Sequence, residues 1–173
     1  MSFDSTGAGG FTIRTGLRPG DLGWIVHRHG VLYRAEYGFD ETFEAYVART
    51  MGEMAERASP HDRIWIAERT IDGWKSDAIV GCIAIVQVSP RQGQLRWFYV
   101  EPPARGFGLG HRLIGEAIGF CRESGFESVI LWTVNLLTAA AHLYEAAGFR
   151  KVEERPGRRY GVDLVEEKYE LRL

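Results

Sequence analysis

Apolar and polar positions recur along this chain with two periods, near 3.6 and near 2, and the switches between them delimit its elements. Residues 11–14, Phe-Thr-Ile-Arg, read as a short first strand closed by Gly16 and Pro19. From Asp21 onward, Trp24, Ile25, His27, Val31, Leu32 and Ala35 fall at helical spacing, with Gly30 a weak point and Gly38 a stop. Asp40 is a plausible N-cap for a second helix, whose stripe is Phe43, Val47, Met51 and Met54 and which Ser59-Pro60 ends. Residues 63–68 alternate as a strand. Asp72-Gly73 is a hairpin signal, and residues 79–88 return as the second arm.

Beyond a turn at residues 89–93 lies an aromatic and aliphatic strand at 95–100, ended by Pro102 and Pro103. Leu109, Leu113, Ile114, Ala117, Ile118 and Cys121 then mark a helix that Gly125 closes. Residues 128–134 are nearly all apolar and β-branched, which suits a strand covered on both faces. A helix over 139–147 carries Ala140, Leu143, Tyr144 and Ala147 on one side and stops at Gly148. Two last strands, 149–154 and 163–171, are expected around a turn at Pro156-Gly157. Such a mixed order predicts an α/β (α+β) fold, a mostly antiparallel sheet of about seven strands flanked by four helices.

Length and composition narrow this only a little. At 173 residues the chain suits one domain over 11–173, preceded by a disordered stretch at 1–10 that is small and polar. A net charge of −2 offers no general attraction to nucleic acid. Cys82 and Cys121 have neither metal nor redox spacing, and read as buried thiols in a reducing compartment. With no signal-peptide pattern and no apolar run long enough for a membrane, a cytoplasmic location is expected, without a metal cofactor.

The chemistry concentrates between the strand at 95–100 and the helix after it. Arg105, Gly106, Phe107, Gly108, Leu109, Gly110 and His111 form a glycine-rich turn leading into a helix N-terminus. Unpaired N–H groups of the loop and first helical turn point to one place there, an anion site that glycines open to a bulky phosphate ligand. A Walker loop would end in Gly-Lys-Ser/Thr, but Gly110 is followed by His111 and Arg112. A dinucleotide fingerprint would place glycine where His111 stands. The spacing that fits is Arg-x-x-Gly-x-Gly on Arg105, Gly108 and Gly110.

That spacing resembles the acetyl-CoA pyrophosphate loop of the GNAT superfamily of N-acetyltransferases, and the order of elements from 11 to 173 is similar to the GNAT fold. Leu143-Tyr144 with Gly148-Phe149 resembles a second family signature, Leu-Tyr-x-x-x-Gly-Phe. The segments around Trp24–His29 and Thr138–Tyr144 look like the acetyltransferase half of bacterial proteins that fuse a winged-helix regulator to a GNAT domain, which would make this chain a stand-alone relative. The resemblance implies acetyl-CoA as co-substrate and direct transfer to a small-molecule or protein amine, with a homodimer among the expected states. It maps main-chain donors for the thioester carbonyl onto Phe98, Tyr99 and Val100, a pantetheine contact onto Asn135, and the general acid for the departing sulfur onto Tyr144. Glu36 and Tyr37 lie where the family builds its acceptor pocket, with Glu36 ranked first as catalytic carboxylate. Gln94 stands where some members carry a Glu base; Glu101 reads as a solvated turn residue. His27 falls on the apolar side of its helix as a buried histidine. A CoA-binding regulatory module without transfer activity is the alternative.

Overall fold

The computed structural model describes residues 10–71 and 74–173, with side chains of 70–77 left aside; the turn expected at Asp72-Gly73 and most of the N-terminal stretch lie outside the described residues. Seven strands form one sheet: β1 (Phe11–Thr15), β2 (Arg63–Ile71), β3 (Trp74–Ser89), β4 (Gln92–Val100), β5 (Ser128–Val134), β6 (Arg150–Arg159) and β7 (Val162–Arg172). Their spatial order is β1-β2-β3-β4-β5-β7-β6, antiparallel except for β4 beside β5. Four helices complete it: α1 (Asp21–Tyr37), α2 (Glu41–Arg57), α3 (Leu109–Glu123) and α4 (Thr138–Ala146).

Side-chain alternation sends odd and even residues of each strand to opposite layers. Trp65, Ala67, Ile83 and Ile85 pack toward α3, while Ile64, Ile66, Cys82 and Ala84 pack toward α1 and α2. Asp40 caps α2 as its position suggests, its carboxylate accepting from Thr42 N–H at 3.0 Å.

Three local expectations are corrected. The buried side of α1 is Ile25, His29, Leu32 and Tyr33, whereas Trp24 and Val31 are exposed. His29, 2% exposed, is therefore the buried histidine, and His27 faces solvent. Tryptophan and valine drew the predicted stripe about one residue off the true one. Gly30 does not interrupt α1, which runs unbroken from Asp21 to Tyr37, and the Glu44 side chain of α2 lies over the space that a Cβ would take. Finally, Pro156-Gly157 is not the last turn. β6 runs through it, with Pro156 opposite Val165, because β6 is a sheet edge and needs no proline N–H on its outer side. The turn is Tyr160-Gly161, both at positive φ (54° and 79°), the two-residue geometry that matches strand twist.

Candidate active site

β4 and β5 are bonded only at their starts, Gln92–Gln94 against Ser128–Ile130. Beyond Gln94 they part, and β4 presents main-chain groups without a strand partner on that side. A bulge in β4 accompanies the parting. Cys82 faces Tyr99 and Ala84 faces Arg96, so Trp97 and Phe98 together oppose one residue of β3. Trp97 sits at φ 49°, an uncommon conformation for a large side chain, and its carbonyl accepts from Cys82 Sγ at 2.9 Å. The extra residue reverses the phase of the strand. Leu95 packs in the α3 layer, while Trp97 and Tyr99 pack in the α1–α2 layer.

Two cavities occupy the wedge. The first, about 460 Å³, is floored by Phe98, Tyr99 and Val100 and walled by Arg105, Gly106, Gly108, Leu109, Gly110 and His111. Gly106 and Gly108 are left-handed at φ 83° and 77°. A Cβ on Gly110 would press Leu143 Cδ1 at 3.0 Å and Phe98 Cζ at 3.4 Å, so this glycine holds the cavity open. α3 begins at Leu109, which turns its first N–H groups onto the same space. Phe107 is the loop residue that turns away, its ring 6.0 Å from Phe11.

Arg105 is already engaged: Nε donates to the Val100 carbonyl at 2.9 Å and Nη2 to Glu36 at 2.8 Å. Glu36 and Tyr37 thus line the loop cavity rather than the second one, and burial followed by the Glu36 charge raises the Tyr37 phenol above its ordinary pKa. Asn135 does not reach either cavity. Its Oδ1 accepts from Val165 N–H at 2.8 Å and its N–H bonds back to the Val165 carbonyl, extending the β5–β7 ladder. Glu101 is no solvated carboxylate, since Arg28 of α1 clamps it with two bonds of 2.6 and 2.8 Å.

The second cavity, about 330 Å³, opens between β4 and β5 on the side of α1, α2 and β6. It meets the first at Tyr33, Phe98 and Leu137, which line both. Tyr144 stands in its wall, buried against Phe98, Phe149 and Tyr169 and without a hydrogen bond to any described residue. Burial raises its phenol pKa. His29 also lines this cavity. Its Nδ1 lies 2.8 Å from the Ile25 carbonyl, so the proton is on Nδ1 and the lone pair is on Nε2, which is buried without a partner. Burial lowers its pKa to about 4.

Arg96, Arg155 and Arg159 lie in the same wall with Glu166. None of these, nor His29, stood out as a site residue in the sequence. The available signal was the position of Arg96 two residues before Phe98, masked by the bulge. Both cysteines are buried and free, and burial pushes the Cys121 thiol up to about 12 and raises Cys82 as well, which removes either as a ready nucleophile.

A strand-loop-helix anion cradle beside a parted pair of parallel strands is a site for a phosphate-bearing ligand whose reactive end lies in the wedge. Residues 31–149 match the Acetyltransferase (GNAT) family, and the chain belongs to it. An uncharacterized N-acetyltransferase of Schizosaccharomyces pombe is 29% identical over 122 residues, covering 70% of this chain and 72% of that protein. N-acetyltransferase family 8 member 3 of Rattus norvegicus is 32% identical over 102 residues, covering 56% of this chain but only 42% of its own length. In fold, a GNAT-family acetyltransferase of Staphylococcus aureus superposes with a TM-score of 0.73 at 16% identity, covering 93% of this chain and 99% of that one. A GNAT acetyltransferase of Elizabethkingia anophelis with acetyl-CoA bound gives 0.66 at 14% identity, over 95% and 99%. The family makes the protein an acetyl-CoA-dependent acyltransferase.

Proposed function

We propose that this chain moves the acetyl group of acetyl-CoA directly onto a primary amine held in the cavity between β4 and β5. The observation that carries this reading is the meeting of the two cavities at Tyr33, Phe98 and Leu137, with the anion cradle on one side and Tyr144 on the other. The loop amides from Gly106 to His111 would hold the pyrophosphate, each contact being charge-assisted. A main-chain N–H in the Phe98–Val100 stretch that points into the parting of the strands would polarise the thioester carbonyl; such a donor is typically worth about 2.7–4 kcal/mol in the transition state.

The amine must first lose a proton to water, since an alkylammonium has a pKa near ~10.4. Its lone pair then attacks the carbonyl carbon, the C–N bond forms, and the C–S bond breaks with its electron pair going to sulfur. The Tyr144 hydroxyl gives its proton to that sulfur, and the second amine proton, relayed by water, restores the phenol. His29 Nε2 is the unpaired acceptor in the wall. With a pKa of about 4 it stays neutral, and with its Nε2 closed off from solvent behind the aromatic rings of Tyr33, Phe43 and Tyr99 it shapes the wall rather than carrying the proton. Glu36 enters this scheme as a positioning residue for Arg105.

The test is free-CoA release from acetyl-CoA with a panel of amines, alongside calorimetric binding of acetyl-CoA. Release that depends on one class of amine and is lost in Tyr144→Phe supports transfer. Tight acetyl-CoA binding with no turnover on any amine would instead mark a regulatory module.

A further inference from the structure

Three arginines in the wall of one cavity are too many for a site that takes a plain amine. Arg155 pairs with Glu153 and Arg159 with Glu166. Arg96 is different. It is half-buried, and among the described residues it forms no ion pair. Its Nη2 donates to the Tyr46 hydroxyl at 2.7 Å, and its guanidinium lies 5.6 Å from the Tyr46 ring centroid and 4.8 Å from that of Trp97. A guanidinium has five N–H donors. The bond to Tyr46 uses one of them, and the two aromatic faces attract the cation without accepting its in-plane N–H groups. A cation taken partly out of water beside a cavity, with one donor bonded to a described residue and no carboxylate paired to it among them, is stabilised by an anion that enters there. Arg159 adds to the same field, its guanidinium 4.9 Å from the Tyr160 ring and 5.4 Å from that of Tyr46. One carboxylate, Glu166, is set against these charges in the cavity lining.

Resting on the transfer reading above, we propose that the acceptor is a small amine that also carries a carboxylate, an α-amino acid or close analogue, with the carboxylate held by Arg96. The cavity suits such a molecule. It is a half-open cleft bounded by α1, α2 and the parted strands, its volume is about 330 Å³, and Phe39, Phe43, Trp97 and Tyr160 give it an apolar aromatic wall. The same charges disfavour polyamines, whose several ammonium groups would face the guanidinium group of Arg96, which has no ion-pair partner among the described residues, and two more that are each already paired with one carboxylate.

The experiment compares phenylalanine with phenylethylamine, which differs by the carboxylate alone, and with spermidine. Two readouts are taken: free-CoA release, and binding of 3-phenylpropanoate, which has the carboxylate and no amine, followed by fluorescence of Trp97 and Trp132 in the cavity wall. The expected result is a kcat/KM roughly 10- to 100-fold higher for phenylalanine than for phenylethylamine, the range of one hydrogen-bonded charge. That ratio should fall toward one in Arg96→Gln and be partly kept in Arg96→Lys. Binding of 3-phenylpropanoate should weaken in the same order, and calorimetry with acetyl-CoA reports that each variant is folded. Carboxylate binding lost in Arg96→Gln, without turnover of any amine, would keep the anion site and discard the transfer reading. Equal or better turnover of phenylethylamine or spermidine, or 3-phenylpropanoate binding that ignores Arg96, would overturn the proposal.

Discussion

The two cavities that meet at Phe98 are built in opposite ways. The loop cavity takes its chemistry from consecutive residues, Arg105 to His111, and mostly from main-chain N–H groups that the glycines leave open to a ligand. The cavity between β4 and β5 takes its chemistry from side chains of α1, β4, α4 and β6 that are scattered over more than a hundred residues. Main-chain donors at a helix start bind whatever phosphate reaches them, so they serve a shared cofactor. Side chains gathered by tertiary packing can differ from relative to relative without disturbing the sheet, so they serve the acceptor.

The strongest way to break this contrast is to block the loop. Replacing Gly108 and Gly110 together by valine should abolish acetyl-CoA binding by calorimetry while far-ultraviolet circular dichroism stays native. Gly110 has no room beside Leu143 and Phe98, and a side chain at the left-handed Gly108 costs about 1–2 kcal/mol. Retained affinity in the folded double variant would remove the loop from the cofactor site.

Next in size is Tyr144→Phe, which keeps the ring packing against Phe98 and Phe149. A fall in kcat of roughly 10²–10⁴ with unchanged acetyl-CoA affinity is expected of a general acid that acts on the sulfur. Full turnover would assign that proton to water.

His29 gives a smaller, pH-dependent effect. Its folded pKa, about 4, is depressed below the ordinary 6.5 because burial disfavours the imidazolium. Between these values the unfolded chain holds a proton that the folded protein does not, so stability falls as pH drops from 6.5 to 4 and is level above. The full difference is roughly 3 kcal/mol. Urea unfolding of His29→Gln across pH 4–7 should lack that component; an unchanged slope would show that other groups carry the acid sensitivity.

The smallest effect belongs to Glu36→Gln. Arg105 is 45% exposed, so its pair with Glu36 is screened and worth about 0.2–1 kcal/mol, a change of a few-fold at most in acetyl-CoA affinity. If the loss appears instead in the KM of the acceptor, Glu36 works across the boundary between the cavities.

The chain's own order of apolar stripes, glycines and prolines determined the seven strands, the four helices and the loop motif, because period, breaker residues and short-range spacing are all local. Asp40 as the cap of α2 and Gly148 as the stop of α4 were legible for the same reason. Tertiary structure decided what depends on phase and partner. The burial of β4 alternates without interruption, yet the bulge at Trp97 transfers its later residues to the other layer, which no count of apolar positions reveals. His29 rather than His27 is buried because α2 lies over one side of α1, and Pro156 stays within β6 because that strand is an edge. Arg96 lies against Tyr46 and beside Arg159 through contacts between residues 50 and more apart in the chain, made when α2 and the β6–β7 hairpin close over the parted strands. Local sequence sets which backbone forms and where its donors point; which side chains share a cavity follows only from how the elements pack.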